Sequence, residues 1–344
     1  GIKYEAQLKF KEDKVRGLFG DVLPIIPSPE EYFYRNRMDF AFGPNYTVGL
    51  KDNRDNIIDI KKCWLMSEKS NTIVERLRQF IAEHELKEYP AGIMRHVVIR
   101  EGKNQPNTFI NVLTSDKGRF PIEEFWNQFK GLADRVSWTL NLSQADRSYG
   151  EIQKILGQDH LIESLNGIKF NIPPQSFFQT NTHQAEKLLL IVKEFAAPNG
   201  SENLLDLYSG TGSLGLYLAG KVKHVTGIEE SEAAVALSKT NAELNGLKNY
   251  AAFAGRAEDL LASFSGQFEL VVVDPPRPGL HKRVVKKLGE MKAPKVVYVS
   301  CNPVSQAFDL TALKEFGYKV AKSQPLDMFP HTPHIENVLL LKRD

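Results

Sequence analysis

Apolar positions recur at helical spacing in "YEAQLKFKEDKVRGLF", residues 4–19, where Leu8, Val15 and Leu18 fall near one face. "DVLPIIPSPEEY" follows, with three prolines in six positions, and predicts an extended linker. From about Tyr34 to Asp116 the pattern turns to short runs of β-formers. "MDFAFG", "YTVGLK", "IIDI", "HVVIRE" and "TFINVL" predict strands of a mostly antiparallel sheet. One helix interrupts them, "SEKSNTIVERLRQFIAEHEL", with Ile73, Leu77, Phe80 and Ile81 at helical spacing. Residues 137–172 continue as strands and loops and include the hairpin signal Asn166-Gly167.

Near residue 173 the pattern changes. "TNTHQAEKLLLIVKEFA" predicts a helix capped by Asn181 or Thr182. Then strand and helix alternate: "NLLDLYS", "SLGLYLAG", "HVTGIEES", "EAAVALSKTNAELNG", "FELVVVDPP", "KRVVKKLGEM", "KVVYVSC". That alternation argues a parallel, doubly wound sheet. "HIENVLLLKRD" follows a loop and reads as a last strand, antiparallel at the end of the sheet. The predicted organisation is an N-terminal helix and Pro-rich linker (1–30), an α+β, mostly antiparallel domain (31–172) and a Rossmann-like α/β domain (173–344).

Composition narrows the class without choosing a function. At 344 residues the chain is long enough for two domains, and 42% apolar and 25% charged residues are those of an ordinary globular protein. No apolar run nears 18 residues, and the N-terminus lacks a signal peptide's apolar core. The two cysteines lie 238 positions apart and make no disulfide scaffold; a reducing, cytoplasmic setting is expected. A net charge of +2 neither requires nor excludes nucleic acid.

The chemistry gathers at predicted strand ends. "DLYSGTGSLG" places Gly210, Gly212 and Gly215 in G-x-G-x-x-G spacing, and Glu229 ends the next strand 19 residues after Gly210. Such an acid holds a ribose through its two hydroxyls, so a nicotinamide dinucleotide is one reading. Two features favour S-adenosylmethionine instead. Asp206 precedes the glycines, where a carboxylate suits the cationic end of that cofactor and would repel a pyrophosphate. "VVVDPPRPG" then puts Asp274 and two prolines over the crevice where open α/β sheets bind ligands. A turn acid that merely caps this loop is the plain alternative for Asp274.

Arg277 follows the D-P-P triplet, where an aromatic would suggest methylation of an exocyclic amine. A cytosine-5 RNA methyltransferase commonly carries its nucleophile just after Pro in this loop, and no cysteine is there. Cys301 instead ends the next strand, on the same predicted sheet edge. A thiolate beside a methyl donor suits uracil: adding to carbon 6 makes carbon 5 nucleophilic, and a base must then take the carbon 5 proton. Candidate bases are His331, His334 and Glu336. An inert, packed Cys301, a solvated Glu336 and loop-packing histidines are the structural alternatives.

"SFFQTN", "DLYSGTGSLGL", "DPPRPG", "YVSCNP" and "DMFPHTPHIENVLL" together resemble, in order and spacing, the RNA uracil-5 methyltransferases that make 5-methyluridine in tRNA and 23S rRNA. The resemblance implies Cys301 as nucleophile, Glu336 as base, and Asp274 between cofactor and uracil. It matches Gln179, Tyr208, Ser213 and Glu229 to cofactor-contacting positions, beside Asp206, Gly210 and Gly212 of the same turn. It implies S-adenosyl-L-methionine as cofactor and S-adenosyl-L-homocysteine as product. The expected partner is an RNA, with the tRNA T-loop favoured over 23S rRNA, and a monomer with no membrane partner is expected. The rivals are a nicotinamide-dependent oxidoreductase and a non-catalytic RNA-binding module.

"YRNRMDF" and "RHVVIREG" resemble the family's central domain, with Arg35, Arg37, Arg95 and Arg100 as phosphate-contact or ordinary surface residues. Many members also carry an N-terminal barrel and three cysteines that, with a fourth downstream, hold an iron–sulfur centre. Cys63 in "IDIKKCWL" resembles that fourth ligand, so a 4Fe-4S cluster would need upstream cysteines; a plain core cysteine is the alternative. The chain is expected to be a fragment of such a protein, with no metal site of its own.

Overall fold

The computed structural model describes residues 2–343 apart from 117, 144–146 and 265–267. It divides into two compact units. One, here the central unit, comprises residues 32–164 and 171–182; the other, Rossmann-like unit comprises 1–31, 165–170 and 183–344.

The chain opens with helix α1 (Tyr4–Phe19), which buries Lys11 and Val15. The central unit then forms a seven-stranded sheet from β1 (Arg37–Gly43), β2 (Thr47–Lys51), β3 (Ile57–Asp59), β4 (Met94–Glu101), β5 (Thr108–Thr114), β6 (Arg135–Leu140) and β7 (Glu151–Gly157). Their order is β3-β2-β1-β4-β5-β6-β7, antiparallel except for β5 and β6. Helix α2 (Glu68–Glu83) is capped by Ser67, whose side chain accepts the Ser70 N–H. Its face of Ile73, Leu77, Phe80 and Ile81 packs into one core with Phe125 and Phe129 of α3 (Ile122–Phe129). Strands β8 (Leu161–Leu165) and β9 (Ile168–Ile172) form a separate hairpin.

The Rossmann-like unit continues with α4 (Thr182–Ala196), β10 (Asn203–Leu207), α5 (Ser213–Ala219), β11 (His224–Glu229), α6 (Glu232–Leu244), β12 (Tyr250–Ala254) and α7 (Ala257–Leu260). It closes with β13 (Leu270–Val273), α8 (Lys282–Met291), β14 (Lys295–Ser300), α9 (Pro303–Glu315), β15 (Tyr318–Leu326) and β16 (Glu336–Arg343). The strand order is β12-β11-β10-β13-β14-β16-β15. β10 to β14 pair in parallel, and β16 runs antiparallel to both β14 and β15. Strands β10, β13 and β14 are near-continuous apolar runs because helices cover both faces of the sheet. Among the described residues no helix is long and apolar enough to cross a membrane.

One expectation about the sheet needs correction. β16 is antiparallel as expected, but it lies inside the sheet, and the edge is β15. "YKVAKSQPL" carries lysines and a proline through its length, which is what an outer strand tolerates and an apolar-run reading overlooks.

Candidate active site

Parallel pairing delivers the C-terminal ends of β10, β13 and β14 to one side of the sheet, with Leu207 opposite Val273 and Val273 opposite Tyr298. Asp206 is the penultimate residue of β10, Asp274 follows β13, and Cys301 follows β14. β16 runs the other way, so its first residue reaches the same edge. Ser300 pairs with Asn337 at the end of the ladder, so Cys301 and Glu336 come next on the two strands, close enough for Glu336 to act on the thiol. Opposed residues of an antiparallel pair share a face, so thiol and carboxyl are neighbours by topology.

The glycine turn between β10 and α5 is built around Asp206. This residue is fully buried, and its Oδ2 accepts the Gly215 N–H at 2.9 Å. Its Oδ1 is buried with no hydrogen-bond partner. Tyr208, Gly210 and Gly212 all take positive φ, and Gly212 at +91° precedes Ser213, the first residue of α5. Glu229, at the end of β11, braces the same turn from the other side. Its Oε2 accepts the Gly210 N–H at 3.0 Å and its Oε1 the Ser231 N–H at 2.9 Å. Each oxygen retains a lone pair for a further donor.

Burial sets the charge state of this edge. It lifts the Asp206 carboxyl to about 8, with the charges of Asp274 and Glu229 adding to the effect. Asp274, part of whose surface stays open, is lifted by its protein surroundings to about 7. Glu336 is raised well above the usual carboxylate range by burial and then by Asp274. The Cys301 thiol is pushed up by burial, then by Glu336 and Asp274, while Arg277 pulls it down. The exposed guanidinium of Arg277 is thus the cation that favours a thiolate here.

A polar clamp, not anticipated from sequence, fixes the D-P-P loop to the helix behind the thiol. Asn302 caps α9 through the Val304 N–H, and its Nδ2 donates to the Arg277 carbonyl at 3.1 Å. The Ser305 hydroxyl donates to the same carbonyl at 3.1 Å. Buried Asp309 accepts the Leu280 N–H at 2.8 Å and the Tyr298 hydroxyl at 2.6 Å. The available signal was an acid at helical spacing with Leu310 and Leu313 on the buried face of α9.

The remaining candidates are more scattered. His331 lies at the surface with Nδ1 3.2 Å from Gln7 Nε2. His334 is half-buried, and burial with nearby Arg277 and Lys11 lowers its pKa. Gln179 belongs to the central unit, where its carbonyl accepts Asn36 Nδ2 at 2.8 Å. Two arginines of that unit depart from the phosphate reading. Arg95 and Arg100 are buried, with Arg95 donating to the carbonyls of Asn141 and Ser143 and Arg100 to that of Ser176. Arg37 is engaged by Asp39 through both Nε and Nη2, and half-buried Arg35 donates to the Arg37 carbonyl. Cys63 sits in the central core, its N–H on Asn71 Oδ1, and no group of three or more metal-ligating side chains occurs among the described residues. The residues present do not make a four-cysteine cluster site.

A parallel sheet with its sixth strand reversed, a glycine turn after β10 and an acid ending β11 define a Rossmann-like, S-adenosylmethionine-dependent methyltransferase domain. The tRNA (uracil-5-)-methyltransferase family model matches residues 3–344, and the chain belongs to that family. It is 37% identical over 348 residues to the tRNA (uracil(54)-C(5))-methyltransferase of Pyrococcus furiosus, covering 99% of this chain and 81% of that one. An uncharacterized RNA methyltransferase of Nanoarchaeum equitans is 38% identical, with 99% and 76% covered. The crystal structure of Pyrococcus abyssi tRNA (uracil-54, C5)-methyltransferase in complex with S-adenosyl-L-homocysteine superposes with a TM-score of 0.90 at 35% identity. It covers 99% of this chain and 84% of that one.

Proposed function

We propose that this chain methylates carbon 5 of a uridine in tRNA, with Cys301 as nucleophile and Glu336 as base. The observation that carries the reading is the register step that sets Cys301 against Glu336, with Asp274 at the end of the neighbouring strand. Position 54 is the favoured uridine, because relatives from Pyrococcus named for that activity are similar over 99% of this chain. A uridine of 23S rRNA is the second reading, and the relatives named only as RNA methyltransferases keep it open.

The residues around the glycine turn fit S-adenosylmethionine. Asp206 Oδ1, buried and unpartnered, suits the ammonium of the cofactor's amino-acid end. Glu229 has acceptor capacity for ribose hydroxyls, and Tyr208, Gly210, Gly212 and Ser213 line the turn. By sequence resemblance Gln179 matches a further cofactor-contacting position. When bound, the cofactor supplies the methyl group that carbon 5 takes.

The chain's own residues handle the rest. The Cys301 thiolate adds to carbon 6 of an unstacked uracil, and the ring's electrons shift to make carbon 5 nucleophilic. Once carbon 5 carries the methyl group, Glu336 removes its proton. The electrons of that C–H bond restore the ring double bond and expel the thiolate. Burial, and then the charge of Asp274, raise the Glu336 carboxyl, which makes its ionised form a stronger base.

The test uses tRNA and rRNA fragments with 5-fluorouridine at the candidate position. Fluorine cannot leave as a proton does, so wild-type protein should form a covalent RNA adduct and Cys301→Ala none. Glu336→Gln should hold the adduct on ordinary uridine. An adduct that survives Cys301→Ala, or free turnover by Glu336→Gln, overturns the assignment. Preference between a T-arm with uridine 54 and an rRNA hairpin decides the substrate.

A further inference from the structure

Strands β15 and β16 are joined by residues 327–335, which have no regular structure and end at Glu336. Both ends of this connection are held by the first helix of the chain. At one end, Leu326 pairs with Glu336 across the hairpin and Asp327 follows it. The Lys11 ammonium meets Asp327 Oδ1 at 2.6 Å and donates to the Phe329 carbonyl at 3.1 Å, with both side chains of the ion pair almost wholly buried. At the other end, Ile335, the residue before Glu336, packs with Val15 of α1 and Val22. Between them, Gln7 Oε1 accepts the His331 N–H at 3.0 Å, and the Asp327 N–H donates to the Ile26 carbonyl at 2.9 Å.

We infer that Lys11 is a positioning residue for the proton-abstraction step, setting Glu336 against Cys301 through Asp327 and Phe329. A buried ion pair is a poor way to gain stability, because desolvating both charges offsets most of their attraction. What it adds over an apolar contact is direction. The ammonium has donors for a carboxylate and a carbonyl two residues apart, and satisfying both fixes the path of the connection where it leaves β15. Glu336 lies directly across from that point, so a shift there moves the carboxyl relative to the carbon 5 proton. Cys301 itself is carried by the end of β14 and the start of α9. The inference rests on the assignment of Glu336 as base.

The test compares Lys11→Met, Lys11→Arg and the apolar pair Lys11→Met/Asp327→Leu on a T-arm RNA carrying deuterium at carbon 5 of the target uridine. Misplacing the base by about 1 Å should lower turnover about a hundredfold. In Lys11→Met the isotope effect at carbon 5 should rise above the wild-type value and a covalent adduct should build up on ordinary uridine, with KM for RNA little changed. Lys11→Arg, which keeps a donor pair, should recover part of the turnover. The apolar pair removes both charges and should fold even where the single variant does not. It too should show the raised isotope effect.

Wild-type isotope effect and no adduct in the folded variants would overturn the role of Lys11 while leaving Glu336 as base, provided Glu336→Gln run alongside traps its adduct. Free turnover by Glu336→Gln would overturn both.

Discussion

The Tyr298 hydroxyl, inside β14, donates to Asp309 Oδ2 at 2.6 Å, and that oxygen also accepts the Leu280 N–H at 2.8 Å. One carboxylate therefore ties the strand bearing Cys301 to the loop bearing Asp274 and Arg277. Asp309→Ala leaves a buried hydroxyl and a buried N–H without an acceptor, and should cost about 1–3 kcal/mol in urea unfolding. Tyr298→Phe removes one donor and should cost less. The double variant should fall short of the sum of the two, because the hydroxyl is no longer there to be stranded. Full additivity would mean that the two side chains act independently.

The pKa of about 8 at Asp206 gives stability a definite slope with pH. The folded carboxyl holds a proton that the unfolded chain releases near 3.8, so the unliganded protein loses stability as pH rises from about 4 towards 8. Asp206→Asn cannot ionise and should flatten that part of the slope in thermal melts run from pH 5 to 8. A cationic ammonium beside Asp206 favours its charged form. Binding of S-adenosylhomocysteine at pH 7 should therefore release protons, read by calorimetry in buffers of different ionisation enthalpy. The Asn variant should release fewer. Equal release by both proteins would detach Asp206 from the cofactor.

Arg277 is the cation that lowers the pKa of Cys301 against the upward push of burial, Glu336 and Asp274. Its removal should leave less thiolate at any given pH. Arg277→Ala should slow alkylation of Cys301 by iodoacetamide at pH 8 about two- to fivefold, and shift the rate profile to higher pH. Cys63, buried in the central core, serves as the unreactive internal control. An unchanged rate would mean that solvent screens the guanidinium from the thiol.

How far the sequence carried depended on whether a feature was local. The alternation of strands and helices after residue 173 predicted the parallel sheet, and the sheet then brought Asp274, Cys301 and Glu336 to one edge. Lys11 was invisible because a lysine on an amphipathic helix reads as solvated, and its partner lies 316 positions away. The residues of α1 that face inward, Lys11 and Val15, follow from that distant partner as much as from apolar spacing. Arg95 and Arg100 are the opposite case. Arginines in strand-rich segments read as phosphate-contact or ordinary surface residues, yet both are buried and each donates to backbone carbonyls of the central unit. Strand β15 escaped because an edge strand keeps lysines and a proline that weaken the β pattern.

Gly215 offers a steric test of the cofactor turn, with a control on the same helix. A Cβ at Gly215 would stand 2.6 Å from Asp206 Oδ2, 3.1 Å from Val225 Cγ1 and 3.3 Å from Tyr250 Cε2. Asp206 has no exposed surface into which to retreat, and it is bonded to the Gly215 N–H itself. The added methyl must therefore push the carboxylate or reshape the turn. Gly215→Ala should weaken S-adenosylhomocysteine binding by tenfold or more, roughly the effect of one lost charge-assisted contact. At Gly220, the C-cap of α5, φ is −70° and a methyl group would meet nothing within 4 Å. Gly220→Ala should leave binding unchanged and stabilise the fold by about 0.4–1 kcal/mol through the unfolded chain's entropy. If Gly215→Ala binds the ligand as tightly as Gly220→Ala does, the close approach of turn and carboxylate has no part in holding the cofactor.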